Sequence, residues 1–490
     1  MKILMVAPEV VPFVKVGGLA DAVGSLSKAL ASRGHDIRVV LPKYKSISDF
    51  KDIHFIDKYL LKIQLGKEVA VASIWESSFP GSTAKVYFIE YNMFFGDGSV
   101  YCGPSGSEKD NGYRFALFSR AALDLCGQIN WLPDIIHCHD WTTGLIPAYL
   151  NTNDFSKPLG RAASIMTIHN LQHQGYCDKE VLDYAGIIQT LFRQDGFESF
   201  GQVNLLKGGL YHTTKINTVS PSYAKEIRGE ALGCGLNLVT EFRSSDLFGI
   251  INGIDVEEWN PENDTYIASN FSEKDLSGKQ NCKNEILSIC DLDNNKDAPL
   301  FIIISRLYEQ KGLDLFLNII DGLMNESNMQ IAILGTGEAE IEEEFVHFSK
   351  RYPKRFSTQL KFDNVLAHKM IAGGDFILMP SRFEPCGLSQ MYAMRYGTVP
   401  VVRRTGGLID SVSVFSNDWS KGCGFNFENV DSNELFAIIL EACAYYSKQN
   451  FKYKKMQING MQEDFSWLNS AKKYESLYAS AIDARRNAFL

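Results

Sequence analysis

No C-x-x-C pair occurs among the 10 scattered cysteines of this chain. Neither a zinc ribbon nor a disulfide framework is indicated, and a reducing cytoplasm is the expected compartment. No uninterrupted apolar run approaches the ~18 residues of a transmembrane helix. The opening run from Met1 to Val14 begins like a secretory signal, but Pro8, Glu9 and Pro12 interrupt it and no small-residue cleavage site follows. Ile3–Ala7 is expected to be a buried strand instead. Cationic excess is also missing. A formal net charge of -9 argues against nucleic acid as the main partner, because that affinity rests on clustered cations. A sugar nucleotide needs only a few local cations and stays open. The first glycine loop lacks the G-x-G-x-x-G fingerprint, since Gly17 and Gly18 are followed by Ala20 and Asp21 before Gly24. That counts against a dehydrogenase.

What is present is a soluble globular composition, 45% hydrophobic and 22% charged over 490 residues. That length exceeds one ordinary core, so two large domains are expected. Ile3–Ala7 leads through Lys15-Val16-Gly17-Gly18 into a helix from about Ala20 to Ser32, with Ala22, Val23, Leu26, Ala29 and Leu30 at helical spacing. Gly34 stops it, and Ile37–Leu41 reads as the next strand, parallel to the first. The grammar restarts at Phe301–Ser305, with a polar loop over Arg306–Gly312, helical periodicity over Leu313–Leu323 and a strand at Ile331–Leu334. Two such openings predict two doubly wound α/β domains. The polar stretch from about Asn260 to Ala298 marks their junction, in it or just before it. A Gly-rich excursion over residues 96–112 reads as a mobile loop.

In open α/β sheets ligands lie off the carboxyl ends of strands, so chemistry is sought there. Lys15 with Gly17 and Gly18, at a helix N-terminus, offers a cation and free amides to an anion; a solvated lysine on a tight turn is the ordinary alternative. Arg306 and Lys311 flank the matching loop of the second half, where fixed cations would stabilise a departing diphosphate without a metal. After the strand Phe376–Pro380, Glu384 can accept sugar hydroxyls, and the Gly387 and Leu388 amides can meet a phosphate. Thr405, Gly406 and Gly407 repeat the glycine-loop theme. Cys386 has no base beside it in sequence, which disfavours thiol catalysis. His137 and His139 share a strand face, with Asp140, His169 and His173 nearby; metal ligation competes with capping or sugar binding, and the latter is favoured. Asp291-Leu292-Asp293 imitates a metal-binding D-x-D but reads as solvated linker.

Taken together, Lys15-x-Gly17-Gly18-Leu19, His137-x-His139-Asp140-Trp141, Thr167-Ile168-His169-Asn170, Ile251-Asn252-Gly253-Ile254-Asp255, Ser305-Arg306-Leu307 with Lys311-Gly312, Ser381–Leu388 and Arg403–Leu408 follow in order along nearly the whole chain. In this the sequence resembles the bacterial glycogen and starch synthases, retaining GT-B glycosyltransferases. The resemblance implies a GT-B fold, two Rossmann-like doubly wound domains facing across a cleft. It places an acceptor-side domain at 1–255, a nucleotide-sugar domain at 256–462, and a helix crossing back to the first domain at 463–490. It implies glucose transfer from ADP-glucose to the non-reducing end of an α-1,4-glucan, in the cytoplasm, without metal or cofactor and without nucleic acid or membrane partners.

By the same resemblance Lys15 would sit near donor and acceptor, and Arg306 and Lys311 would hold the diphosphate. Glu384 would bind the donor glucose with Cys386 and the following amides, while His169 and Asp140 line the glucose pocket. Asp21 would lie near the nucleotide and Asn252 near the glucan. Phe362 stands where the family often has a tyrosine stacked on adenine. Val16 replaces a familiar threonine, losing a hydroxyl but no backbone donor. Rival readings are a related transferase using UDP-glucose, a glucan phosphorylase with pyridoxal phosphate on a lysine, and a non-catalytic glucan-binding protein. The last is expected to lose Lys15, Arg306, Lys311 or Glu384, and all four are present.

Overall fold

The computed structural model describes residues 1–50, 52–97, 99–103, 108–414 and 421–489. The chain divides into two compact units, one of Met1–Gly253 with Trp467–Leu490 and one of Ile254–Ser466. In the first, strands run β1 (Lys2–Val6), β2 (Asp36–Pro42), β3 (His54–Leu65), β4 (Glu68–Ser78), β5 (Lys85–Glu90), β6 (Ile135–His139) and β7 (Ala163–Ile168). Next come three short strands, β8 (Tyr176–Cys177), β9 (Glu198–Ser199) and β10 (Gln202–Asn204), which make a small antiparallel sheet, and then β11 (Lys215–Thr218) and β12 (Leu247–Gly249). The main sheet has the order β12-β11-β7-β6-β1-β2-β5-β4-β3. All its pairings are parallel except those of the β3–β4 hairpin and of β4 with β5.

Central position explains the composition of β1. Ile3, Leu4, Met5 and Val6 are all fully buried, so the strand reads as a continuous apolar run rather than an alternating one. It pairs with β2 on one side and β6 on the other, with the chain order reversing between β1 and β6. That reversal opens a crevice off the strands' carboxyl ends. The last helix, Trp467–Asn487, packs on β7 and on the helix Gly18–Ser32 through a buried stripe including Ala471, Tyr474, Tyr478 and Ala481. Arg33 anchors it with two 2.7 Å hydrogen bonds to Glu475.

The second unit carries β13 (Leu300–Ile304), β14 (Gln330–Leu334), β15 (Phe356–Gln359), β16 (Phe376–Met379), β17 (Val399–Arg403) and β18 (Phe425–Phe427). All are parallel, in the order β15-β14-β13-β16-β17-β18, the sequence of a doubly wound nucleotide-binding sheet. Strand alternation divides its core. Phe301, Ile303, Ile331 and Ile333 pack on one face, and Leu300, Ile302, Ala332 and Leu334 on the other. The reversal here lies between β13 and β16.

Two sequence expectations are corrected, those for Leu313–Leu323 and for residues 96–112. The polar stretch 260–298 contains the helix Ser277–Ile289, whose Cys282, Ile286 and Leu287 enter the core. Its polar residues are internal partners: Lys283 Nζ lies 2.6 Å from Asp375, and Asp264 accepts from Tyr396 at 2.6 Å and pairs with His368 Nδ1 at 2.7 Å. Leu292 is buried, but Asp291 and Asp293 are exposed and Asp291 meets Lys354 at the surface, so the two carboxylates of the D-x-D are solvated. The periodicity over Leu313–Leu323 belongs to two short helices, Leu313–Leu317 and Ile320–Glu326. The excursion over 96–112 falls partly outside the described residues, but Ser99 and Val100 within it are held through their carbonyls by the buried Arg114 guanidinium. Among the described residues no helix is long and apolar enough to cross a membrane.

Candidate active site

In the first unit, the residues singled out from the sequence gather at the carboxyl ends of β1, β6 and β7. Beyond β1 the chain folds back through paired backbone bonds between Val10 and Val14, 3.1 and 3.0 Å. This returns the lysine loop over Glu9. The Glu9 carboxylate, 2% exposed, accepts from the amides of Val16 and Gly17 and from the Tyr101 hydroxyl at 2.9 Å. Burial raises its pKa above the usual carboxylate value, against those three bonds. The expectation that this loop presents free amides to an anion is therefore corrected for Val16 and Gly17, whose donors Glu9 occupies. Gly18 opens the following helix, and Lys15 is ion-paired with Asp21 at 2.8 Å within that helix's first turn.

Asp140 follows β6 with a φ of +56°, a left-handed conformation uncommon for a residue with a side chain. Its amide donates to the Thr167 carbonyl at 3.0 Å, and its Oδ1 accepts from the His169 amide at 2.7 Å. The strained residue thus ties the end of β6 to that of β7. Burial pushes its carboxyl up to about 8, with the Glu9 charge adding to the rise and the His169 and Asn170 amides opposing it. His139 Nδ1 lies 3.0 Å from His169 Nε2, and His137 bridges Thr167 at 2.6 Å and Tyr478 at 2.9 Å. Burial holds His169 and His137 down to about 3, so both are neutral near pH 7. Asn252 is buried with no partner for its Oδ1 among the described residues. Next to it, Gly253 lies against the last helix, where a Cβ would come within 2.6 Å of the Trp467 nitrogen.

The second unit gathers its own set at the ends of β13, β16 and β17. Lys311 Nζ sits 2.6 Å from Glu384 Oε2, which also accepts from Ser381 Oγ at 3.1 Å. Gly312, at φ +64°, lets the β13 loop touch the end of β16, since a Cβ there would stand 2.1 Å from the Pro380 carbonyl. The Arg382 amide donates to Gln310 at 2.9 Å, a second tie between the same loops. Gly407 donates to the Glu384 carbonyl at 3.0 Å and approaches so closely that a Cβ would meet the Cys386 oxygen at 2.1 Å. Thr405 and Gly406 precede that contact, both buried. Cys386 is buried beside Gly387, which has a φ of +72°, and Leu388 stands at the start of the helix Ser389–Arg395. Arg306 is exposed and makes no ion pair among the described residues. Phe362 presents a ring 87% exposed after β15.

The sequence-derived residues thus fall into two clusters, one per unit. Reading the sequence missed Glu9, Tyr101 and the bond from His139 to His169. Glu9 carried a signal, an acidic side chain just past a buried strand, but its partners depend on the returning loop. Among the described residues no three His, Cys, Asp or Glu side chains converge as a metal site.

Residues 2–241 match the family model described as starch synthase catalytic domain, and 298–444 match glycosyl transferases group 1. The chain is 41% identical to glycogen synthase 1 of Geobacter metallireducens, covering 99% of this chain and 97% of that one. It is 42% identical to glycogen synthase of Thermotoga petrophila, covering 98% and 99%. Among solved structures, the catalytic domain of starch synthase IV from Arabidopsis thaliana, bound to ADP and acarbose, superposes with a TM-score of 0.89 at 34% identity, over 98% of this chain and 99% of that one. With both glycine-rich loops, both strand reversals and these likenesses along its whole length, the chain belongs to the glycogen/starch synthase family of GT-B glycosyltransferases.

Proposed function

We propose that this enzyme transfers glucose from ADP-glucose to the non-reducing end of an α-1,4-glucan, with retention of configuration, in the cytoplasm. The observation that carries the reading is the second unit's arrangement at its strand reversal: exposed Arg306, and Lys311 clamped 2.6 Å from Glu384. Arg306 and Lys311 take the charge that develops on the diphosphate, and Glu384 accepts hydroxyls of the donor glucose beside Cys386, Gly387 and Leu388. Thr405, Gly406 and Gly407 complete the donor contacts, and Phe362 stacks on the adenine. From the first unit, His169 and Asp140 meet the transferred glucose, Lys15, Gly18 and Asp21 serve the donor, and Asn252 meets the glucan.

The acceptor's 4-hydroxyl attacks the anomeric carbon from the face the diphosphate leaves. The carbon–oxygen bond to the phosphate breaks as the new glycosidic bond forms, and the departing phosphate oxygen takes the hydroxyl proton. Neither a hydrolase-type carboxylate pair nor a bound cation is needed for that step.

The test is release of nucleoside diphosphate from ADP-glucose and, separately, UDP-glucose, with and without glycogen. Glycogen-dependent ADP release with little UDP release is expected. A preference for UDP-glucose would overturn the donor, and silence with both, in folded protein, would overturn the reaction.

A further inference from the structure

His139 Nδ1 and His169 Nε2 face one another at 3.0 Å, so one proton lies between two rings. Burial lowers both pKa values, His169 to about 3 and His139 well below the ordinary value, so each ring is neutral and carries one N–H. His139 is 1% exposed, and its second nitrogen, Nε2, is buried without a partner among the described residues. That orphan decides where the proton sits. With the proton of His139 on Nε2, a buried N–H donor would go unmet, which native structures rarely tolerate. With the proton on Nδ1, the same site holds only a bare lone pair, a smaller penalty. The ring of His137, 4.2 Å away between centroids, offers His139 no proton, because its own two nitrogens are engaged by Thr167 and Tyr478.

We propose that His139 is a positioning residue: it donates its Nδ1–H to His169 Nε2 and so fixes His169 as the Nδ1–H tautomer, a hydrogen-bond donor toward the sugar. His169 is partly exposed, and its Nδ1 has no partner among the described residues. It is therefore the edge of the ring left for a ligand. Asp140 Oδ1 accepts from the His169 backbone amide, which sets where the ring is mounted. His139 then sets which nitrogen carries the proton. A His169 of the other tautomer would turn a lone pair to the same position and would need a hydroxyl to donate.

The proposal rests on His169 meeting the transferred glucose, and its first readout needs no substrate. Full-length protein labelled with 15N-histidine, with a His169→Gln sample for assignment, reports which ring nitrogens are protonated. Wild type should show His169 protonated at Nδ1 and bare at Nε2. His139→Asn keeps an amide donor near the position of Nδ1, whereas His139→Leu removes it. The Leu variant should lose about 10- to 100-fold in kcat, and the Asn variant should recover most of that loss with the His169 signals unmoved. A His169 protonated at Nε2 in wild type overturns the proposal. So does a Leu variant with wild-type turnover, or an Asn variant as slow as the Leu variant while folded by thermal melting. Failure of the glucosyl-transfer reading would appear separately, as wild type releasing no nucleoside diphosphate while the nitrogen signals keep the expected pattern.

Discussion

Lys311 Nζ and Glu384 Oε2 stand 2.6 Å apart, one from the loop after β13 and one from the loop after β16, on either side of the strand reversal. Gly312 and the amide of Arg382 hold those loops together, so the pair is set by the fold rather than by side-chain chance. Lys311→Ala removes the cation while leaving the loops joined. It should lower kcat by about 100- to 1,000-fold, the usual loss for one group aimed at developing charge. The KM for glucan should move much less. Initial rates at varied glycogen check this, and unchanged turnover would refute the assigned role.

Glu9 holds the lysine loop by accepting from two amides and a tyrosine hydroxyl. Glu9→Leu removes both acceptor oxygens and leaves the Val16 and Gly17 amides without their partner. That loss in a buried setting should cost about 1–3 kcal/mol of stability. It should also lower kcat/KM for the donor more than Tyr101→Phe does, since that change removes only one donor at the edge of the cluster. Thermal melting and donor kinetics on both variants check the order.

These two sites differ in how far they were legible. Lys311 and Glu384 lie at loop positions that apolar runs such as Phe301–Ser305 and Phe376–Pro380 bracket, so strand ends located them. Glu9 and His139 act through contacts with chain that returns from elsewhere, and no local pattern encodes that return. The burial of Lys279 and Lys283 was illegible for a related reason. Both lysines are buried with oxygen partners supplied by other elements, Ala372, Thr398 and Asp375 among them. Polarity reads as exposure until the partners are known. The strand reversals were equally invisible, because β1 gives no sign in its own residues that β6 rather than β3 is its second neighbour.

Asp140 predicts a pH dependence of stability. Its carboxyl keeps a proton up to about 8 in the folded chain but releases it near the ordinary value when unfolded. Between those values the folded state binds more protons, so stability falls as pH rises and levels off above about 8. Asp140→Asn lacks this term. Its melting temperature relative to wild type should therefore rise from pH 5 to pH 8, while its turnover falls. A constant difference across that range would exclude a buried, proton-holding Asp140.

In the proposed reaction Arg306 and Lys311 take the charge of the departing diphosphate, the task a divalent ion performs in metal-dependent transferases. Glycogen-dependent ADP release should accordingly persist in EDTA at an unchanged rate. Loss of activity restored by magnesium, manganese or zinc would contradict the proposed leaving-group chemistry and return attention to the histidines.

Phe362 presents a ring 87% exposed after β15, open to the stacking on adenine that the proposed reading gives it. Stacking on a base is worth about 1–2 kcal/mol to a site of this kind. Phe362→Ala should raise the KM for ADP-glucose about 5- to 30-fold with kcat nearly constant, because the adenine is bound equally in ground and transition states. Phe362→Tyr preserves the stacked face and should stay within about twofold of wild type. A Phe362→Ala enzyme that loses kcat instead would place this ring at the reacting sugar, not at the base.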